Sequence, residues 1–586
     1  MTPPALPSRL MLSTLLLIAF SGSAWGARVV VQMDGIDDEL SEAALAAMEL
    51  SQYAERDVSR SQVRRLYNRA KAQIAGALEP YGYYNAKVDG ELRKDGDNFT
   101  AVLHVDKGPP TLVEELSISI SGISEDLKPV DKARAAFLPK QGQRLDHAAY
   151  ERSKAAIANA LTNVGYINAD PVAHRIEVTR ATNSAKIVLD WEAGLRYRFG
   201  ETRFEGSQFP DSFTQPYVPW DVGEFYDNDE LLALQQRLSE ANYFSLVQVR
   251  PELDDATDGQ IPIEVILAPA KRTVYTGGVF VGTDTGAGVR AGIERRWIND
   301  RGHKLEFDTI LAQRLKTLGA LYRIPFPGRD QHSLNFGLSY RDEVTDTSES
   351  QIFRAAISDS SIWHGWTRTI GLQFLTGDFT VADQPGNTTM LYPEVSLSKK
   401  HADNVTFPRS AWSLTVAARA SQDGILADTS FGQITADAKW IRGIGENSRF
   451  IARASAGYST VGDFDKLPPE LRFFAGGDRS IRGYPYQSIG PRELVPGNTE
   501  PQVIGGESLF VASAEYEYYF TEKWGGAVFV DFGDAFTGTD FNMNIGAGLG
   551  LRWRSPVGLV RADLGTPVNN EYQDGVQLHI IIGPDL

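Results

Sequence analysis

The side chains most able to do chemistry in this chain are charged groups set among apolar ones. Phe473-Phe474-Ala475-Gly476-Gly477-Asp478-Arg479-Ser480-Ile481-Arg482-Gly483-Tyr484 places the Arg482 guanidinium inside an apolar-aromatic segment with paired glycines. A cation withdrawn from bulk water is costly unless carboxylates pair with it. In Phe529-Val530-Asp531-Phe532-Gly533, alternation puts Val528, Val530 and Phe532 on one strand face and Asp531 on the other. Glu515 lies on the polar face of the preceding strand and is a second candidate partner. An Arg–carboxylate pair can be bidentate, which fixes orientation as well as distance. The chemistry expected of Arg482, Asp531 and Glu515 is bracing, not bond-making.

Other chemical-looking motifs lead elsewhere. Gly546-Ala547-Gly548-Leu549-Gly550 hints at a dinucleotide loop, but its glycines fall on every second residue and no helix follows, so it reads as a strand with a small-residue face. Asp254-Asp255-Ala256-Thr257-Asp258-Gly259 lacks the ligand spacing of a calcium loop and reads as a hairpin turn. The eight histidines show no metal-ligand spacing, and the absence of cysteine removes thiolate nucleophiles, thiolate zinc sites and disulfides. No set of nucleophile, base and orienting group is visible, so neither catalysis nor a cofactor is expected. A net charge of −17 argues against nucleic acid as a partner.

The elements that must position these groups begin with a short apolar run, Leu10 to Phe20, behind Arg9 and ahead of Ala24-Trp25-Gly26. This pattern predicts a secretory signal over residues 1–26. No stretch of about 18 consecutive apolar residues follows, so any membrane crossing must be made by strands. Self-similarity comes next. Tyr81-Gly82-Tyr83, Val164-Gly165-Tyr166 and Ala241-Asn242-Tyr243 each follow an amphipathic helical stretch, namely Ser61 to Leu78, Asp146 to Leu161 and Asp227 to Leu238. Each then leads into two alternating strands. Asp227 and Asn228 sit where an N-cap would, with Leu231, Leu232, Leu234 and Leu238 expected on one face. The result is an α+β βααββ unit repeated three times, over residues 27–110, 111–194 and 195–272. Units of this kind expose strand edges that extended partners can use.

From residue 273 to 586 the helical period gives way to alternation with period two. Roughly sixteen such segments are expected. Their length of about 9 to 11 residues, aromatic residues at their ends, and charges and glycines on the polar face suit a transmembrane barrel with a wet lumen. The clearest case runs from Phe541 to Arg554. The exception is a segment at about 461–505, whose composition suits neither a strand nor disorder. It is expected to fold inward and pack in the lumen, carrying Arg482, Gly483 and Tyr484 with it.

Ile481-Arg482-Gly483-Tyr484 resembles the Arg-Gly-aromatic signature in the inward loop of the bacterial surface-antigen barrels, the superfamily that includes BamA, TamA and the two-partner-secretion transporters. Phe529 to Gly533 resembles the partner-strand motif, and Gly546-x-Gly548-x-Gly550-x-Arg552-Trp553 with Arg561 and Asp563 resembles the late-strand signature. The three N-terminal units resemble POTRA domains, and three of them with the Gly583-Pro584-Asp585-Leu586 end resemble TamA-like members. The resemblance implies an outer-membrane subunit of a translocation and assembly module. It implies client proteins such as autotransporters, contact with outer-membrane lipids, and an inner-membrane-anchored TamB-like partner at periplasmic POTRA domains. It also leaves open a role in moving lipid. In that scheme the first strand, with Gly277 and Gly278, meets the last, with Leu578, Ile580, Ile582 and Gly583, along a weak seam. A two-partner-secretion pore for one dedicated protein and a passive porin or receptor are the competing readings.

Overall fold

The computed structural model describes residues 28–54, 56, 58–96, 98–123, 127–329, 331–404, 406–494, 499–555, 558–569 and 575–582. The expected signal segment, 1–26, and the seam residue Gly583 lie outside the described residues. The chain divides into two compact units: Met1–Phe199 with Gly223–Asp229 and Thr257–Gln260, and Gly200–Val222 with Glu230–Ala256 and Ile261–Leu586.

Each N-terminal repeat builds a three-stranded sheet covered by helices. In the first, Val29–Asp34 runs parallel to Asn98–Asp106, which pairs antiparallel with Lys87–Asp95. Helix Arg60–Leu78 starts at Ser59, whose side chain accepts from the Gln62 N–H. It buries Val63, Leu66, Ala70, Ile74 and Leu78, spaced three and four apart, in one core with Phe99, Ala101, Leu103 and Val105. The second repeat has the same sheet order, Leu112–Ser121 beside Ser184–Glu192 beside Asp170–Thr179, and its helix His147–Asn163 is capped by Asp146. The third orders Arg198–Glu205, Gln260–Pro269 and Phe244–Pro251 alike. The residues that marked the repeat share one backbone state: Gly82, Gly165 and Asn242 have φ of 84°, 97° and 62°. Each stops a helix by turning left-handed, which glycine and asparagine do at least cost. One expectation is corrected here. Helix Asn228–Glu240 buries Leu231, Leu234 and Leu238, but Leu232 is 56% exposed, because it falls off the stripe that the other three define.

Residues 273–582 form one sheet of sixteen antiparallel strands in chain order, from Thr273–Gly282 to Gln577–Ile582. Its burial pattern inverts that of a soluble protein. Val279, Leu318, Leu338, Val528, Leu549, Leu551 and Leu564 are exposed, while Arg449, Glu515, Glu517, Asp531, Arg552 and Asp563 are buried. An apolar exterior of this extent belongs in lipid. The sequence pattern at Phe541 to Met543 is not strand; the strand is Asn544–Ser555, because the Asn542 N–H goes to the Asp534 carboxylate at 2.8 Å and turns the chain.

The third repeat fixes which end of the barrel is which. The Tyr243 hydroxyl donates to the Gly302 carbonyl at 2.6 Å, Lys304 Nζ donates to the Ala241 carbonyl at 2.8 Å, and Phe209 packs edge-on to Trp297. The turn between the second and third barrel strands is therefore at the near end. Antiparallel alternation carries the first strand away from this end. The eleventh strand, Ser448–Val461, runs the same way, so the segment that follows it leaves from the far end.

Candidate functional site: the inward loop and the barrel seam

The segment between Val461 and Ser508 holds two single 3₁₀ turns, Phe464–Lys466 and Pro469–Leu471, and a two-residue hairpin, but is otherwise irregular. Its middle packs inside the sheet. Phe473, Ala475, Ile481, Tyr484 and Ile489 form one buried cluster with Val511 and Ala535 of two wall strands.

Arg482 is 2% exposed and sits at the centre of a charge lattice. Its Nε and Nη2 donate to the two oxygens of Asp531 at 2.8 and 2.9 Å, and its backbone N–H adds a third bond to the same carboxylate at 3.0 Å. Nη1 donates to Glu515 at 2.6 Å and Asp563 at 2.9 Å. The guanidinium also lies 3.5 Å from the centroid of the Phe529 ring, a cation–π contact that covers its remaining face. Arg482, Asp531, Glu515 and Phe529 are thus brought together, with Asp563 as a further partner.

The lattice continues through residues that the sequence did not single out as partners. Arg552 donates to Glu515 at 2.6 Å, Glu517 at 2.7 Å and Asp563 at 2.5 Å. Arg449 pairs with Glu517 at 2.5 Å, and Arg453 lies 3.7 Å from Asp531. Four arginines face four carboxylates, so the buried charge of this set is balanced. The signal that could have found these residues is parity: Glu515 and Glu517 share one strand face, as do Arg552 and the glycines before it.

Those glycines have a steric purpose. A Cβ at Gly546 would fall on the Arg482 carbonyl, one at Gly548 on the Phe529 ring, and one at Gly550 on the Arg552–Asp563 pair. Gly565 faces the Gly483 N–H in the same way, and Gly483, at φ 97°, lies against the Thr566 backbone. Tyr484 is fully buried, its hydroxyl 3.4 Å from the Ile545 carbonyl. Gly533 has φ of 149° and packs on the Phe510 carbonyl and Val511, two residues from Asp531.

The sheet's ends do not close as its interior does. Every strand is hydrogen-bonded to its chain neighbour, yet among the described residues no register joins Thr273–Gly282 to Gln577–Ile582. The last strand meets its neighbour through six residue pairs, the shortest ladder of the sixteen-stranded sheet among the described residues, with Leu578 opposite Leu564, Ile580 opposite Ala562 and Ile582 opposite Val560. Gly277 and Gly278 lie in the first strand opposite Ala291 and Arg290; Gly277 has open space where a side chain would begin, while the Arg290 side chain lies over Gly278.

Asp284, Asp478 and His579 gather at the far end of this seam with potential ligand atoms within 4.8 Å of one another. The hydrogen bonds speak against a metal there. His579 Nε2 accepts the Gly483 N–H at 3.0 Å, which puts the ring proton on Nδ1, where it is donated to Asp478 at 2.5 Å. Coordination through Nδ1 would move the proton to Nε2 and set it against the Gly483 N–H.

A family model described as "Omp85 superfamily domain" matches residues 275–583, more than half of the chain. The chain belongs to the Omp85 superfamily. Residues 30–107 match "POTRA domain TamA domain 1", and residues 197–269 match "Surface antigen variable number repeat", a POTRA model. The protein is therefore a BamA/TamA-like Omp85 member, an outer-membrane barrel with periplasmic POTRA domains. No described helix is long and apolar enough to cross a membrane; the crossing is made by strands. The outer membrane protein assembly factor BamA of Nitratidesulfovibrio vulgaris is 24% identical over 382 residues, 61% of this chain and 46% of that protein. The chain thus spans about half the length of this curated relative. BamA from Haemophilus ducreyi lacking POTRA domains 1–3 superposes with a TM-score of 0.66 at 17% identity, covering 80% of this chain and 99% of that one. CdiB from Escherichia coli gives a TM-score of 0.48 at 14% identity, covering 81% of this chain and 90% of that one.

Proposed function

We propose that this Omp85 barrel assembles client proteins into, or passes them across, the outer membrane by lending them its seam, and that it does so without catalysis. The observation that carries the reading is that, among the described residues, no ladder joins the first and last strands in a sheet otherwise paired throughout. Unpaired N–H and C=O groups facing lipid cost several kcal/mol each, and an arriving client strand satisfies them by β-augmentation. Gly277 and Gly278 bring no side chains of their own to hold the first strand shut. Arg482, with Asp531 and Glu515, keeps the inward loop seated while the seam works. The match of residues 30–107 to a TamA-type POTRA domain supports a translocation-and-assembly role, with autotransporter-like clients and a TamB-like periplasmic partner.

The chain has no cysteine, so a pair introduced in the first and last strands would be its only thiols. Oxidation of that pair is expected to stop client assembly, and reduction to restore it. Undiminished assembly with the seam fully crosslinked would refute this reading.

A further inference from the structure

Among the described residues the far end of the seam has no backbone ladder, yet side chains bridge it. The Thr283 hydroxyl, in the turn after the first strand, donates to Asp478 Oδ1 at 2.8 Å. His579, in the last strand, donates Nδ1–H to that same oxygen at 2.5 Å. The Asp478 N–H returns to the Asp284 carboxylate at 3.3 Å, and the Gly483 N–H holds the other nitrogen of His579. One carboxylate oxygen of the inward loop therefore accepts from both edges of the open sheet. Asp478 and His579 are 6% and 3% exposed, so water does not compete for these bonds. Hydrogen bonds to an ionised acceptor are about twice as strong as neutral ones, and the Gly483 contact fixes which histidine nitrogen donates.

We propose that Asp478 is a latch through which the seated inward loop holds the first and last strands together, so that the seam opens when the His579–Asp478–Thr283 link breaks. The inference rests on the seam reading above and adds what governs it. In this arrangement the charge balance around Arg482 is not what closes the seam. Arg482 seats the loop on the later wall strands, whereas Asp478 ties the seated loop to the two edges. His579 is a positioning residue, acting on the last strand through Asp478.

The test is the distance between spin labels at Val281→Cys and Leu578→Cys, both outward-facing positions, in the full-length chain in lipid nanodiscs. A narrow distribution is expected with the latch intact. Thr283→Val, Asp478→Ala and His579→Ala should each broaden and lengthen it, and the Asp478→Ala/His579→Ala pair should do no more than Asp478→Ala alone. Thr283→Val removes one hydroxyl and guards against an outcome caused by misfolding, which heat-modifiable mobility on gels would report. An unchanged distribution in all three variants overturns the latch. If the distribution lengthens in Arg482→Ala but in none of the three, the loop holds the seam without Asp478, and the latch is again overturned while the seam reading stands. Failure of the seam reading itself would appear separately, as client assembly surviving the seam disulfide.

Discussion

Arg482 shows how much one side chain can be asked to hold. Its guanidinium engages Asp531, Glu515 and Asp563, so removing it leaves three buried carboxylates short of a partner. Breaking a buried pair by deleting one member typically costs about 3–5 kcal/mol. Arg482→Ala is therefore expected to lower the yield of folded barrel and the denaturant midpoint by that order. Arg482→Lys keeps the charge but cannot form the two-pronged contact to Asp531, so it should fall between wild type and alanine. Wild-type stability in both variants, measured by heat-modifiable mobility and urea titration, would remove the brace from the account.

At the scale of elements, the late strands are shaped to receive the loop. The Arg482 carbonyl occupies the place where a side chain at Gly546 would begin, so Gly546→Ala should unseat the loop with the lattice residues intact. The expected result is protease cleavage within 461–505 that wild type resists. The stability loss should be similar to that of Arg482→Ala and should not add to it, since both break one docking event. A fully additive double variant would mean that the glycine face and the guanidinium act independently.

For the whole molecule, the folded-in loop decides between a pore and an assembly platform. The loop packs against the inner wall beside a cavity of about 640 Å³ lined by Arg341, Glu343, Arg354, Glu470, Arg472 and Tyr486, among others. Purified protein should therefore conduct poorly in planar bilayers, and Gly546→Ala should conduct more. Free conduction by wild type would favour a passive porin. Third-repeat contacts such as Tyr243 to Gly302 and Lys304 to Ala241 hold the last POTRA domain against the near-end turns.

What the sequence by itself determined follows from local rules. Helical stripes ended by Gly82, Gly165 and Asn242 define the repeats, and period-two alternation defines the strands and which face each side chain takes. Parity with the cost of a buried charge was enough to point Arg482 at Asp531 and Glu515. Tertiary structure alone decided the rest, because the rest depends on which strands become neighbours when the sheet curls. Asp563 reaches Arg482, and Arg552 reaches Glu515, across strands that are not chain neighbours of the partner. His579 lies far along the chain from Asp478, and no local period relates a residue of the last strand to one in an irregular loop. The exposed position of Leu232 and the turn at Asn542 show the same limit at smaller scale, since apolar type and alternation state a preference that neighbours then accept or override. Whether the first and last strands pair is the most non-local question the chain poses, since it depends on residues about 300 positions apart meeting when the sheet curls.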